Sequence, residues 1–283
     1  MANDPPMTAI APPAATSGEA GLIAVWTAAQ RRERRRRQLL PLAGGAALLL
    51  LWWALVAIFH VRLFIAPSPG MVAMTFYQKF GMLMANLGPT ALEALCGFLL
   101  GNTAAIAVAT VFVHSRNSEQ AFFPIAVLIH SIPVVATAPI LVLLLGNGLA
   151  PKVSIAAIIC FFPTLVNMVR GLQSVGAQPM ELMHVLSATR REVFFKLRVP
   201  TSLPFLFSAL RIAASTATVG AIVGEWIGSQ VGIGALIIQA TYNFDSALLY
   251  ATVLCGSVFS VAFFQVIRRI ERLVVRWDAG VAG

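Results

Sequence analysis

Apolar positions gather into six long runs, each closed by a short polar break or a turn signal. They cover approximately Pro41 to His60, Pro89 to Val113, Ala121 to Leu145, Val153 to Arg170, Ser202 to Gly228 and Ala247 to Ile267. Each is near the about 20 residues that an α-helix needs to cross a bilayer. The pattern predicts an all-α polytopic membrane protein with about six transmembrane helices. Pro133 and Pro139 interrupt the third run, and Pro163 lies in the fourth. Pro67-Ser68-Pro69-Gly70 reads as a turn, and Met71 to Leu87 as a short helix on the outer surface. Between the fourth and fifth runs lies Glu181 to Pro200, ELMHVLSATRREVFFKLRVP. Leu182, Val185, Leu186 and Thr189 fall at helical spacing, and Val193, Phe194 and Leu197 continue it. Pro179 can open this helix and Pro200 can stop it. Such an amphipathic segment either lies on the bilayer surface or docks on a soluble partner.

Composition agrees with the pattern. The 283 residues are 58% hydrophobic and 11% charged, where a soluble domain carries about a quarter charged residues. A net charge of +9 raises the question of nucleic acid, and the placement of the charges answers it. With the N-terminus in the cytoplasm, sixteen Lys and Arg fall in inside segments and three, Arg62, Lys79 and Lys152, in outside ones. That bias predicts a multi-pass protein with both termini cytoplasmic, and it puts Glu181 to Pro200 there too. The tract Arg31 to Arg37 reads as an anchor against anionic lipid. Residues 1–38 read as a disordered cytoplasmic tail, 39–270 as the transmembrane domain with a cytoplasmic loop at 176–200, and 271–283 as a second cytoplasmic tail. Cys96, Cys160 and Cys255 lie inside apolar runs without metal spacing and read as packing residues.

Ionisable groups inside spans are costly and face protein or water. Arg211 and Glu225 share one face of the fifth span with Ser215, Thr218 and Ile222. Fourteen residues put them about 21 Å apart, too far to pair. This stripe lines either a translocation pathway or a packing seam. His130, Ser131 and Thr137 sit beside the prolines of the third span, where kinks free backbone groups. Asn102 and Asn167 read as interhelical hydrogen-bonding residues. No GxxxxGK[ST] loop occurs, and no nucleophile, base and orienting group fall close together. No catalytic residue, metal site or cofactor is therefore assigned to this chain.

Glu181 to Pro200 resembles the EAA loop of the permease subunits of bacterial ABC importers. That pattern is Glu-Ala-Ala, three residues, Gly, nine residues, then Ile-x-Leu-Pro. Glu181 takes the Glu position, Ser187 the Gly, Leu197 the Ile, Val199 the Leu and Pro200 the Pro. Leu182 and Met183 replace the two Ala, and Ser187 replaces a Gly that a tight turn with positive φ would favour. Pro67-Ser68-Pro69 and Leu210-Arg211-Ile212-Ala213 resemble the branch for nitrate, sulfonates, taurine, bicarbonate or pyrimidine precursors. Glu93 stands where that branch leads one to expect Arg. The resemblance implies a type I ABC importer permease fold in the bacterial inner membrane. It also implies a second permease copy in a homodimer, separate ATPase subunits that bind ATP and Mg²⁺, and a periplasmic or lipid-anchored solute-binding protein. Glu181, Leu182, Val185, Leu186, Ser187, Arg190, Arg191, Leu197 and Pro200 would then form the ATPase-coupling loop. An ion-driven secondary transporter is the alternative; it calls for clustered midplane groups and an internal repeat, and neither is evident.

Overall fold

The structure, a computed structural model, describes residues 39–40, 43–60, 62 and 64–275. The N-terminal tail with its Arg tract and the end of the C-terminal tail lie outside the described residues. The chain divides into two units, Met1–Val61 and Arg62–Gly283. In the first, α1 is Ala43–Ile58, an apolar helix shorter than the about 20 residues of a full span.

The second unit is helical throughout its described length apart from its connections. Pro67 to Gly70 begins a helix rather than a free turn. In α2 (Pro69–Gln78) the Ser68 side chain accepts a hydrogen bond from the Met71 N–H at 3.3 Å, and Pro69 fills the first turn, where its missing N–H costs nothing. The outer helix expected to reach Leu87 stops at Gln78, because α3 (Phe80–His114) already starts at Phe80 and runs through Pro89. A proline inside a span is tolerated where neighbouring helices satisfy the freed backbone.

Next come α4 (Arg116–His130) and α5 (Val134–Leu145), which meet at a bend of 96°. Pro133 explains the bend: it disfavours α geometry at Ile132 and donates no N–H. Then follow α6 (Leu149–Gln173), α7 (Ala177–Val185) and α8 (Arg190–Glu192). A π-helical stretch at Val193–Arg198 leads into α9 (Val199–Glu225). Last are α10 (Ile233–Tyr242) and α11 (Ser246–Val274). The final helix thus continues past residue 270, where a tail was expected to begin. Among the described residues, four helices are long and apolar enough to cross a membrane, or five if the bent pair counts as one span. The expected six included α1.

The core lies where α6 packs against α3 and α9, with α11 against α9. It is built from small residues: Ala94, Ala213, Ala214, Ala217 and Ala221 are fully buried around Phe98, Cys160 and Phe207. In a bilayer, where apolar burial against lipid gains nothing, close backbone approach supplies the packing energy. Gly220 is the tightest case on α9, since a Cβ there would stand 2.8 Å from the Ala156 Cα. Asn102 joins α3 to α6 by accepting from the Thr164 hydroxyl at 2.5 Å. Asn167, expected to do likewise, instead donates to the Pro163 carbonyl of its own helix.

At the other end of α11, Asp245 caps the helix by accepting from the Leu248 N–H and pairs with Lys79 at 3.0 Å. Burial alone would raise the Asp245 carboxyl. The Leu248 N–H and the Lys79 ammonium outweigh it and hold the group below its usual range. That stabilisation is present above the ordinary carboxylate range and is lost as pH falls from there through the lowered value of the folded state.

Candidate functional site

The loop between α6 and α9 is two helical pieces, not one. Sequence periodicity carries Glu181 to Pro200 as a single helix, but the chain breaks after Val185. Ser187 takes φ +53. Its N–H donates to the His184 carbonyl at 2.9 Å, and the Ala188 N–H to the Met183 carbonyl at 3.0 Å. This is a Schellman C-cap, in which the residue after the cap turns left-handed. The turn that the Gly of the motif would favour is therefore made by Ser.

The chain restarts at once. The Thr189 hydroxyl accepts from the Glu192 N–H at 3.3 Å, and the Glu192 carboxylate accepts from the Thr189 N–H at 2.9 Å. That reciprocal capping box satisfies two otherwise orphaned donors. Lys196 adds an ion pair to Glu192 at 3.0 Å. Pro200 does not stop the helix. It sits in the first turn of α9, and Leu197 lies in the π-helical stretch just before it.

The result is a projecting elbow. Leu182, Val185 and Leu186 lie at i, i+3 and i+4 and are 59%, 79% and 66% exposed. Glu181, Arg190 and Arg191 are exposed around them. Such a patch, apolar at the centre with charges at its edge, has the make-up of a protein interface.

The α9 stripe is resolved into separate partnerships. Arg211 pairs with Glu271 of α11 at 3.0 Å and donates to the Ser208 hydroxyl at 3.1 Å. Ser215 is half-buried. Thr218 is buried and bonds back to the Ala214 carbonyl. His130 joins none of these: it stacks on Phe162, centroids 4.2 Å apart, at the α4 end of the bend.

Glu225 is the centre of a buried knot. It accepts from the Thr90 hydroxyl at 2.6 Å and the Gly234 N–H at 2.5 Å. Thr90 in turn accepts from the Ile233 N–H at 2.8 Å, and Asn86 from the Gly232 N–H at 3.0 Å. Beside it Lys152 bridges Glu93 at 2.9 Å and the Ser229 hydroxyl at 2.8 Å. Glu93 is 2% exposed. The knot ties the start of α10 to α3, α6 and α9. Sequence reading missed Thr90, Asn86, Lys152 and Glu271 as partners. The first two were detectable, since Asn86, Thr90 and Glu93 recur at helical spacing and mark one polar face of α3.

Among the described residues no three His, Cys, Asp or Glu gather to hold a metal. Fold and loop define a class: a membrane-embedded subunit with a buried polar seam and a projecting apolar elbow on one side. Residues 97–277 match the family model described as binding-protein-dependent transport system inner membrane component, and the chain belongs to that family. Riboflavin transport system permease protein RibX of Chloroflexus aurantiacus is 36% identical, with 76% of this chain and 81% of the relative aligned. Formylaminopyrimidine transport permease protein ThiX of Halalkalibacterium halodurans is 32% identical, over 76% and 86%. The fold is similar to that in the inward-facing MetNI methionine ABC transporter, with a TM-score of 0.57 and 17% identity, covering 71% of this chain and 97% of that one. The chain is thus a permease subunit of an ABC transporter, a transport component rather than an enzyme, and an ion-driven carrier is set aside. A permease of this family works with ATPase subunits and a partner permease.

Proposed function

We propose that this chain forms, as a homodimer in the bacterial inner membrane, the translocation pathway for a small nitrogen heterocycle delivered by an extracytoplasmic solute-binding protein. ATP and Mg²⁺ act on the separate ATPase, and this chain binds neither. The exposed apolar elbow is the observation that carries the coupling role. Leu182, Val185 and Leu186 are costly to leave in water, at about 25 cal/mol per Å² of apolar surface. Docking on an ATPase would cover them, with Arg190 and Arg191 guiding association at the rim. The loop runs helically into α9, so movement of the docked elbow reaches a span directly.

Two observations support a heterocycle over a nitrate- or sulfonate-like anion. RibX and ThiX are named for solutes containing pyrimidine-type rings. In addition, the two cations of the buried polar seam are already paired, Arg211 with Glu271 and Lys152 with Glu93. Neither is left to neutralise an anion. The α9 stripe then serves as a packing seam at Thr218 and Glu225.

The test is reconstitution of the permease with its ATPase and binding protein in vesicles. Uptake and ATP hydrolysis are measured with riboflavin, formylaminopyrimidine, taurine and nitrate in turn. A heterocycle should stimulate both; stimulation by taurine or nitrate alone would overturn the substrate class. Leu186→Asp should leave the permease in the membrane while ATPase co-purification and uptake are lost. Normal ATPase recovery with that variant would assign the elbow to the lipid surface instead.

A further inference from the structure

Two neighbouring cavities between α3, α4 and α6 share Phe112 in their walls. The larger, about 690 Å³, is walled by apolar side chains such as Ala104, Val108, Ile125, Ala126, Phe161 and Leu165. The second, about 630 Å³, opens at the end of the bundle nearest α7 and is polar. Arg116, Gln120 and Arg198 line it together with Glu119, whose carboxylate accepts from the Gln173 side chain at 3.0 Å. The ion pairs among the described residues are Lys79–Asp245, Lys152–Glu93, Lys196–Glu192 and Arg211–Glu271. Arg116 and Arg198 take part in none of them. Arg198 donates only to the Leu172 carbonyl, at 3.4 Å. Two guanidiniums against one carboxylate leave the polar cavity with a single excess positive charge.

We infer that the two cavities together form a site for one anionic phospholipid, its phosphodiester between Arg116 and Arg198 and an acyl chain in the apolar groove. Dimensions support that occupant. On α3 the groove runs from Leu100 to Phe112, about 18 Å at the rise of an α-helix. Half of a roughly 30 Å hydrocarbon core is about 15 Å. A groove of that length can take an acyl chain running from the bilayer surface towards its middle. A free anion would use the Arg pair but leave the groove without purpose. Polybasic contacts with anionic headgroups are favourable at the bilayer surface, and a bidentate fork suits a phosphodiester. The inference uses only the membrane placement of the chain; it stands or falls apart from the solute and the ATPase contact.

The test is native mass spectrometry of the full-length permease complex, exchanged with equal amounts of dioleoylphosphatidylglycerol and dioleoylphosphatidylcholine. Wild type should retain the anionic lipid at least tenfold over the zwitterionic one. Arg116→Ala with Arg198→Ala should abolish that preference, and Arg116→Lys with Arg198→Lys should keep most of it. Ala126→Trp, or the milder Ala104→Leu, should reduce retention of both lipids by filling the groove. Equal retention by wild type, or a preference that survives the double Ala variant, overturns the site. Release of phosphatidylglycerol by millimolar inorganic phosphate, with both groove variants silent, would reassign it to a free anion. Efficient disulfide cross-linking of two copies through Ile125→Cys would give the groove to a second permease.

Discussion

Thr90 does two jobs with one hydroxyl: it donates to Glu225 and accepts from the Ile233 N–H. Thr90→Val keeps the shape and removes both bonds, leaving a carboxylate oxygen and a buried N–H without partners. Unsatisfied buried groups cost about 1–3 kcal/mol each, so the variant should unfold several degrees below wild type in detergent. Thr90→Ser should stay close to wild type. An unchanged melting temperature in Thr90→Val would remove the knot from the stability of the bundle. Ser187 presents the opposite case. It holds φ +53 without being Gly, and the left-handed region costs an ordinary residue about 1–2 kcal/mol. Ser187→Gly should therefore stiffen the elbow, seen as slower hydrogen exchange at Ser187 and Ala188. Faster exchange there would mean the Schellman turn is not the resting state.

At the scale of elements, the helix trio α3, α6 and α9 depends on backbones lying close together. Gly220→Val adds a branched side chain where even a Cβ would be 2.8 Å from the Ala156 Cα. Backbone cannot give way as a flexible side chain can. The expected result is loss of monodisperse protein after solubilisation, while Gly81→Ala, where a Cβ meets nothing within 4 Å, should be silent. Gly220→Val that purifies and melts like wild type would show the helices to be further apart. How much of this was legible differs by element. The spans α3, α6, α9 and α11 follow from apolar runs alone. The 96° bend follows from Pro133 in kind but not in size. The extension of α3 through Pro89 was hidden because proline ends helices in water, whereas neighbours in the bundle satisfy the freed groups. The pairing of Arg211 with Glu271 joins residues sixty positions apart, and nothing in local periodicity encodes such a partner. Ser187 was flagged as a place where the turn was in question, and only the backbone answers it.

For the whole molecule, orientation rests on the charge split of sixteen against three. Both termini and the elbow should face the cytoplasm. Cysteine scanning with an impermeant thiol reagent should label Ser68→Cys and Asn243→Cys from outside and leave Ser187→Cys untouched. Labelling of Ser187→Cys alone would invert the molecule. The sequence also carried the transport role, through the loop resemblance that the family match bears out. What it left out was the polar knot around Glu225, whose members come from four helices and become neighbours only when the bundle closes.

The π-helical stretch Val193–Arg198 carries a consequence for tolerance to change in length. Each of its turns holds one residue more than an α turn. Elsewhere in a continuous helix, removing one residue swivels everything ahead of the gap by about 100°. Here a single deletion can be absorbed by rewinding to ordinary α geometry. The elbow, with Leu182, Val185 and Leu186, would then keep its aim relative to α9. The six residues act as slack in a shaft: a lineage could shorten this connection by one residue and still present the same exposed face.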